Sequence, residues 1–173
     1  MANRRRTAKS LVKRGSLATG VALLAAAPLA AITWAEPASQ VTPELITSAL
    51  FKETFKVKTA PESPIDMRLK SKEQVRMYVR RHTYAPGGNT GWHKHPGPVF
   101  VLVTQGTLTY YDYDDPECSG VRVPAGEGFV DDGHGHRVRN ESGAPAEDIS
   151  VIMAPPTGPF RSDLEPTRSG CGS

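Results

Sequence analysis

The stretch GGNTGWHKHPGPVFVLVTQG, residues 87–106, joins a glycine-rich loop, two histidines and an apolar run. His93 and His95 are one residue apart, and residues spaced in this way along a β-strand face the same side, about 7 Å apart. Two imidazoles in that arrangement can bind one metal ion at roughly 2 Å from each nitrogen. The run that follows, up to Gln105, predicts a strand, and Gly106 predicts the turn that ends it.

A second histidine pair, His134 and His136, occurs further along the chain beside another glycine-rich turn. A single pair at the junction of a loop and a strand is typical of ordinary polar residues on the protein surface. Two pairs, separated by the length of a hairpin unit, favour a metal site to which both pairs contribute. The fifth histidine, His82, belongs to no pair, and we interpret it as a surface or cross-strand packing residue.

The pattern of turns and short apolar segments predicts an all-β fold. From residue 65 onward, short stretches of strand-forming residues recur between glycine- and proline-containing turns, which is typical of an antiparallel sandwich or barrel. No long helical periods alternate with these strands, which disfavours a parallel α/β fold. The preceding segment is interpreted as an arm, with a short helix expected from Pro43 to Phe55 and capped by Thr42.

Residues 87–140 resemble the two sequence motifs of the cupins, which are small β-barrels of the jelly-roll type. The first cupin motif has a glycine, a His-x-His pair, a glutamate and a second glycine at fixed spacings. The second motif has Pro-x-Gly, a histidine and an asparagine. The residues of this chain that match the two motifs are Gly87, His93, His95, Gly106, Pro124, Gly126, His136 and Asn140.

Two features depart from the cupin pattern. The interval between Gly126 and His136 is longer than in the family, and Val99 occupies the position of the first-motif glutamate. The resemblance implies a single-domain jelly-roll barrel in which His93, His95 and His136 bind a metal. His136 keeps the spacing to the motif asparagine, and His134 is the alternate ligand.

The valine at position 99 changes which metals the resemblance implies. Three neutral imidazoles suit Fe(II), Zn, Cu or Ni, whereas the loss of a carboxylate disfavours the harder Mn(II). Some cupin-like dioxygenases also use three histidines, so the resemblance implies an oxygenase-type metalloenzyme acting on a small organic molecule. A non-catalytic module that binds a small ligand or a metal, and a barrel that has lost its metal, remain open alternatives. Trp92 and Val99 are expected to line the pocket.

The N-terminal 35 residues have the three-part pattern of an export signal. A cationic start is followed by a small, apolar stretch that ends in Thr33-Trp34-Ala35, a suitable cleavage site. An uncleaved anchor is the alternative, which Pro28 and the many alanines disfavour. The residues after the arginines favour the Sec route over twin-arginine export. We therefore expect a secreted or extracytoplasmic protein with no stable membrane span after cleavage.

Cleavage would also reverse the sign of the net charge. The signal holds six of the 21 basic residues and none of the 18 acidic ones, so 15 basic residues remain against 18 acidic ones. The overall basic balance is therefore no indication of nucleic-acid binding. The expected partner is a small-molecule ligand or substrate. Homodimers formed through edge strands are common among cupins, and nothing in the sequence selects or excludes one.

The two cysteines, Cys118 and Cys171, both follow the export signal. Outside the cytosol such a pair most simply forms a disulfide, which would contribute about 4 kcal/mol by closing a loop. Metal ligation and free thiols are the alternatives, and neither has a supporting neighbour. The sequence thus predicts a signal peptide (1–35), an arm with a short helix (36–62), a cupin-like barrel (63–155) and a Pro/Gly-rich tail (156–173).

Overall fold

The structure, a computed structural model, describes residues 38–165, and within this range it contains strands and turns but no helix. The predicted export signal and Cys171 lie outside the described residues. No helix that could span a membrane occurs in the described part of the chain. The twelve strands are β1 (Ser39–Phe51), β2 (Lys56–Lys58), β3 (Arg68–Lys70), β4 (Val75–Asn89), β5 (His93–Lys94), β6 (Val99–Gln105), β7 (Thr107–Asp112), β8 (Val121–Pro124), β9 (Gly128–Asp131), β10 (His136–Arg139), β11 (Ala146–Ala154) and β12 (Ser162–Asp163).

Ten of these strands form a nearly closed antiparallel barrel, which confirms the predicted fold class. One run of neighbours has the order β1-β4-β11-β6-β9, and the other has the order β8-β7-β10-β5-β12. The two runs join where Asn89, at the end of β4, pairs with Arg139 of β10. Strands β2 and β3 form a separate two-stranded sheet.

Alternation along the central strands places an apolar face inside the barrel. On β6 the buried residues are Val99, Val101 and Val103, while Leu102 points outward and is half exposed. Val99 and Val101 pack with Ile152 of the neighbouring strand β11. Each fully buried aliphatic side chain stabilises the fold by roughly 1.5–3 kcal/mol, so this face holds β6 and β11 in register.

Asn140 holds together the turns at one end of the barrel. Its side chain is fully buried, and its Nδ2 group donates to the carbonyl oxygens of Tyr84, Ala85 and Ala144 at 3.2, 3.1 and 2.8 Å. Its Oδ1 atom accepts from the amide and hydroxyl groups of Ser142. The asparagine of the second motif therefore satisfies buried backbone groups and has a structural role.

The helix expected from Pro43 to Phe55 is wrong, because this part of the chain is strand β1. It pairs with β4 along its length, from Ser39 opposite Asn89 to Phe51 opposite Val75. An edge strand offers a row of unpaired backbone groups, and pairing with it satisfies more of them than an isolated short helix would. Strands β1 and β12 come from the segments predicted as arm and tail, and the domain boundaries themselves stay predictions.

Gly106, which ends β6, allows a test of the turn geometry. It has φ = +72°, and a Cβ atom there would lie 2.8 Å from the carbonyl oxygen of Pro145 and 2.9 Å from Cβ of Ala146. We expect Gly106→Ala to lower the free energy of unfolding by about 1–2 kcal/mol for the left-handed backbone and by about 1–3 kcal/mol more for overpacking.

Gly126→Ala is the matched control, since Gly126 has φ = +90° but open space where a Cβ would be placed. It should lose only the backbone contribution. Urea unfolding of the two variants beside the wild type measures both effects. Equal losses in the two variants would contradict the packing argument.

Candidate metal centre

Strand pairing brings together the two histidine motifs. His93 on β5 lies directly opposite His136 on β10 in an antiparallel register, so their side chains share one face of the sheet. His95 follows β5, and its ring centroid lies 5.0 Å from that of His93 and 5.5 Å from that of His136. One nitrogen from each of the three buried histidines lies within 4.8 Å of the others. This spacing suits a single metal ion.

Hydrogen bonds fix which ring nitrogen faces the centre of the cluster. Nδ1 of His93 lies 2.9 Å from the carbonyl oxygen of Gly91, and Nδ1 of His95 lies 2.7 Å from that of Phe160. A carbonyl oxygen can only accept a hydrogen bond, so in both rings Nδ1 carries the proton. Nε2 of each ring is then unprotonated, and it is the nitrogen that can bind a metal.

His136 is oriented by a buried carboxylate instead of a carbonyl group. Its Nδ1 lies 3.2 Å from Oδ1 of Asp131, at ion-pair distance but without the alignment of a regular hydrogen bond. Burial raises the pKa of Asp131, but the contact with His136 and the backbone N–H of Gly133 outweigh it and lower the pKa overall. Asp131 therefore supplies a negative charge beside the ring.

Asp131 also lies next to the position of the missing glutamate, since it pairs with Val99 across β6 and β9. Its carboxylate is not among the atoms that converge with the histidine nitrogens. Two other acidic residues near the second motif, Glu127 and Asp132, are exposed. Val99 provides no negative charge, but the carboxylate of Asp131 places one beside His136.

Two histidines of the cluster, His93 and His95, favour their neutral forms. Burial lowers the pKa of His93 well below its usual range, and the neighbouring His136 and Arg161 lower it further. Burial lowers the pKa of His95 to about 4, although its hydrogen bond to the Phe160 carbonyl group acts in the opposite direction. At neutral pH both rings therefore present a lone pair instead of a positive charge, as a metal requires.

The cluster opens into a cavity of about 330 Å³ inside the barrel. Much of its wall is apolar, and Val99 forms part of that wall, as expected from the sequence. The other aliphatic residues of the wall are Val41, Val101, Val138 and Ile152. A volume of this size lies at the lower end of the range for small-molecule sites.

The cavity also contains a polar cluster that the sequence analysis missed. The carboxylate of Asp148, which is 1% exposed, accepts hydrogen bonds from Tyr84 at 2.6 Å and from Ser150 at 2.7 Å. Nδ1 of His82 lies 3.0 Å from the same carboxylate. Burial and the nearby Asp148 raise the pKa of Tyr84 well above its usual value, so its hydroxyl group stays a donor.

His82 lines the cavity, so its interpretation as a surface residue is wrong, whereas its contact with Asp148 agrees with the interpretation as a cross-strand packing residue. The sequence feature that could have identified His82 as a cavity residue is the alternation along β4, which places His82 and Tyr84 on the same face of the strand. The partner Asp148 lies 66 residues away in sequence, so only the pairing of β4 with β11, which sets His82 opposite Asp148, brings the two together.

Two other predicted site residues lie away from the cavity. His134, the alternate ligand, has a side chain that is 73% exposed, and its Nδ1 is 3.7 Å from Asp132 and 3.8 Å from Asp114. It lies in the loop before β10, where Gly135 has φ = +136°, so the alternation of a strand does not carry His134 to the face of His136.

Trp92 does not line the pocket. It is 1% exposed and packs against Tyr111, Tyr113 and Leu164, and the guanidinium group of Arg137 lies 4.7 Å from its ring centroid. Trp92 directly precedes β5, and its side chain enters this cluster, whereas the side chain of the adjacent His93 faces the cavity.

The fold and the cluster define a small β-barrel with three buried histidines positioned for a metal ion. Residues 80–152 match the family described as a cupin domain, and this range contains all three histidines. This part of the chain is a cupin domain, as the sequence motifs predicted. A search of curated proteins found no match.

Several solved structures are similar to the chain. Oxalate oxidase in complex with the substrate analogue glycolate is 23% identical, with a TM-score of 0.44, over 51% of this chain and 46% of that chain. The polyketide cyclase RemF from Streptomyces resistomycificus is 19% identical, with a TM-score of 0.48, over 75% of each chain. The chain thus spans about half the length of the oxalate oxidase chain. At these values the similarities carry no argument about substrate or reaction.

The low pKa of His95 predicts how stability depends on pH in the metal-free protein. The unfolded chain binds a proton at this histidine near pH 6.5, whereas the folded chain does so only at about pH 4. Between these values the unfolded state binds more protons. The free energy of unfolding should therefore fall as the pH falls, by up to about 1.4 kcal/mol per pH unit for such a histidine.

Urea unfolding of the metal-free protein between pH 4 and pH 7 measures this slope. His95→Gln should reduce the slope by about one proton, because it removes the group that titrates differently in the two states. His134→Gln is the control, since that side chain is exposed. An unchanged slope in His95→Gln would show that His95 titrates normally in the folded protein.

Proposed function

We propose that this protein binds a divalent transition metal through Nε2 of His93, His95 and His136 and presents it to a small organic molecule. The observation that carries the proposal is the convergence of three buried imidazoles within 4.8 Å. Two of the rings have Nδ1 committed to a carbonyl oxygen, and the third has it beside a carboxylate. Such outer contacts are typical of histidines that bind metals, because they fix the tautomer and the ring orientation.

The donor set favours Fe(II), Zn, Cu or Ni over Mn(II). All three donors are neutral nitrogens, which suit metals of intermediate softness, whereas Mn(II) prefers oxygen ligands. The aliphatic side chain of Val99 adds no donor to the set. Three protein ligands also leave coordination positions for a small molecule, as in catalytic rather than structural metal sites.

When bound, a metal of this kind supplies Lewis acidity and, in the case of Fe(II), redox chemistry towards oxygen. The residues of the chain would bind the substrate, exclude water and transfer protons. The valine walls would exclude water and hold the apolar part of a substrate. His82, held by Asp148, has the arrangement of a group that can accept and return a proton. These features support an oxygenase-type enzyme acting on a small organic molecule.

We also propose that the protein acts outside the cytoplasm, with Cys118 and Cys171 joined in a disulfide. The pattern of residues 1–35 and the placement of both cysteines after it support this proposal. Intact-mass measurement after alkylation of the secreted protein should find no alkylated cysteine unless the protein is first reduced. Two alkylated thiols in the unreduced protein would contradict the disulfide.

Metal analysis tests the central proposal. The purified protein, loaded in turn with Fe(II), Zn, Cu and Ni, should retain close to one equivalent of at least one of these metals. His93→Ala and His136→Ala should each lose that equivalent. Asp131→Asn should weaken the affinity by about 10–100-fold, because it removes a group that orients a ligand.

His134→Ala is the matched control, since it removes a histidine two residues from His136 that faces solvent. It should retain the metal at the wild-type affinity. A wild-type protein without stoichiometric metal, or an equal loss in His134→Ala, would overturn the three-histidine site.

Oxygen consumption by the Fe(II)-loaded protein separates an enzyme from a binding module. We expect consumption with at least one member of a panel of small phenols, thiols and carboxylic acids, and we expect His82→Gln to reduce the rate without loss of iron. Bound iron with no consumption across the panel would favour a non-catalytic module that captures a small ligand.

A further inference from the structure

Two arginines line the same cavity as the three histidines. Arg80 lies on β4, two residues before His82 and on the same face of the strand. Arg161 lies close to the end of the described chain and directly follows Phe160, whose carbonyl oxygen accepts the hydrogen bond from His95. Both guanidinium groups therefore border the space into which the metal ligands open.

Arg80 has few interactions of its own for a partly buried cation. Its guanidinium carbon lies 4.9 Å from the ring centroid of Phe160, a distance that suits a cation–π contact. Within residues 38–165 its Nε atom is buried without a hydrogen-bond partner, and the side chain forms no ion pair. A buried donor without an acceptor is costly, and a ligand that accepted from it would remove this cost.

Arg161 is held in place by the chain around it. Its Nη2 group donates to the carbonyl oxygen of Thr90 at 2.7 Å, and its Nε group donates to Asp163 at 2.8 Å. The side chain of Asp163 is 66% exposed at the edge of the cavity, and it also lies 2.7 Å from Nη2 of Arg161. The guanidinium group is therefore positioned at the cavity before any ligand arrives, which lowers the cost of ordering it on binding.

Arg161 lies close enough to Arg80 to disfavour the positive charge of Arg80. Burial lowers the pKa of Arg80, and the positive charge of Arg161 lowers it further. The buried carboxylate nearby, Asp148, already accepts hydrogen bonds from Tyr84 and Ser150 and contacts His82. An anion bound between the guanidinium groups would relieve their repulsion.

We propose that the cavity binds a small organic carboxylate whose carboxylate group contacts Arg80 and Arg161. The planar guanidinium fork matches a carboxylate in geometry and charge. The valine residues of the cavity wall provide an apolar surface for the body of the molecule. This surface would not stabilise a hydrated inorganic anion. The proposal rests on the proposed function and names its substrate class: an organic acid with its remaining groups facing the three histidines.

Benzoate and its neutral analogue benzamide are suitable probes, because they differ in charge and hardly in shape. Isothermal titration of the zinc-loaded full-length protein should give a dissociation constant for benzoate at least about tenfold below that for benzamide. Arg80→Gln and Arg161→Gln should each weaken benzoate binding by about tenfold or more and leave benzamide binding almost unchanged. Arg80→Lys, which keeps the charge, should recover part of the affinity.

Arg76→Gln is the matched control, since Arg76 lies on the same strand but does not line the cavity. It should bind benzoate like the wild type. Benzoate binding that is unchanged in both Arg80→Gln and Arg161→Gln would overturn the proposal. Inorganic phosphate that binds as tightly as benzoate would also overturn it, because the site would then select charge without an organic body.

Two further measurements keep failure of this proposal distinct from failure of the metal site. Zinc content is determined for every variant, and stoichiometric zinc without a preference for benzoate contradicts only the carboxylate site. The titration is repeated with metal-free protein, where the arginine contacts should still give benzoate an advantage over benzamide. An advantage that disappears with the zinc would show that the carboxylate binds the metal instead of the arginines.

Discussion

The antiparallel pairing of His93 with His136 is the constraint on which the arrangement of the cavity depends. The strands that carry them are short, and each contributes only one histidine to this pairing. A shift of register by one residue would turn the side chain of His136 to the opposite face. The register is fixed from both sides, because β10 also pairs with β7 from His136 to Arg139. The relative position of His93 and His136 is thus a property of the barrel, whereas His95 follows β5 and is held by its hydrogen bond to the Phe160 carbonyl group.

The same burial that builds the cluster also sets its chemistry. Burial disfavours the protonated forms of His93 and His95 and so lowers their pKa, and the neighbouring ring of His136 acts in the same direction. Nδ1 of His93 and Nδ1 of His95 are each directed to a carbonyl oxygen, whereas Nδ1 of His136 lies beside the carboxylate of Asp131. In the usual cupin pattern a glutamate would lie among the ligands. Here the carboxylate of Asp131 lies beside Nδ1 of His136. It can therefore change the basicity of this imidazole without binding the metal itself.

The sequence predicted those features that depend on local spacing. The glycines of the motifs have positive φ at Gly87, Gly106 and Gly126, and the strands follow apolar alternation. The failures have physical causes. The segment from Pro43 had a helical pattern, but a neighbouring strand edge decided its conformation. The adjacency of Trp92 to His93 suggested a shared pocket, although the side chain of Trp92 enters a separate hydrophobic cluster. His82 looked like a surface or packing residue, because a polar inner face on β4 cannot be distinguished from an outer one without knowing what packs against it.

The segment from Phe160 to Leu164 connects the cavity to the end of the described chain. It pairs with β5, accepts a hydrogen bond from His95 through the Phe160 carbonyl group, and donates from the Leu164 amide to Trp92. Only Ser162 and Asp163 of this segment pair with β5, and a segment with so few paired residues opens locally at a lower cost than a core strand. In this fold its opening would remove an acceptor from one histidine and a wall from the cavity. Occupation of the cavity and closure of this segment are therefore thermodynamically linked, so each raises the population of the other.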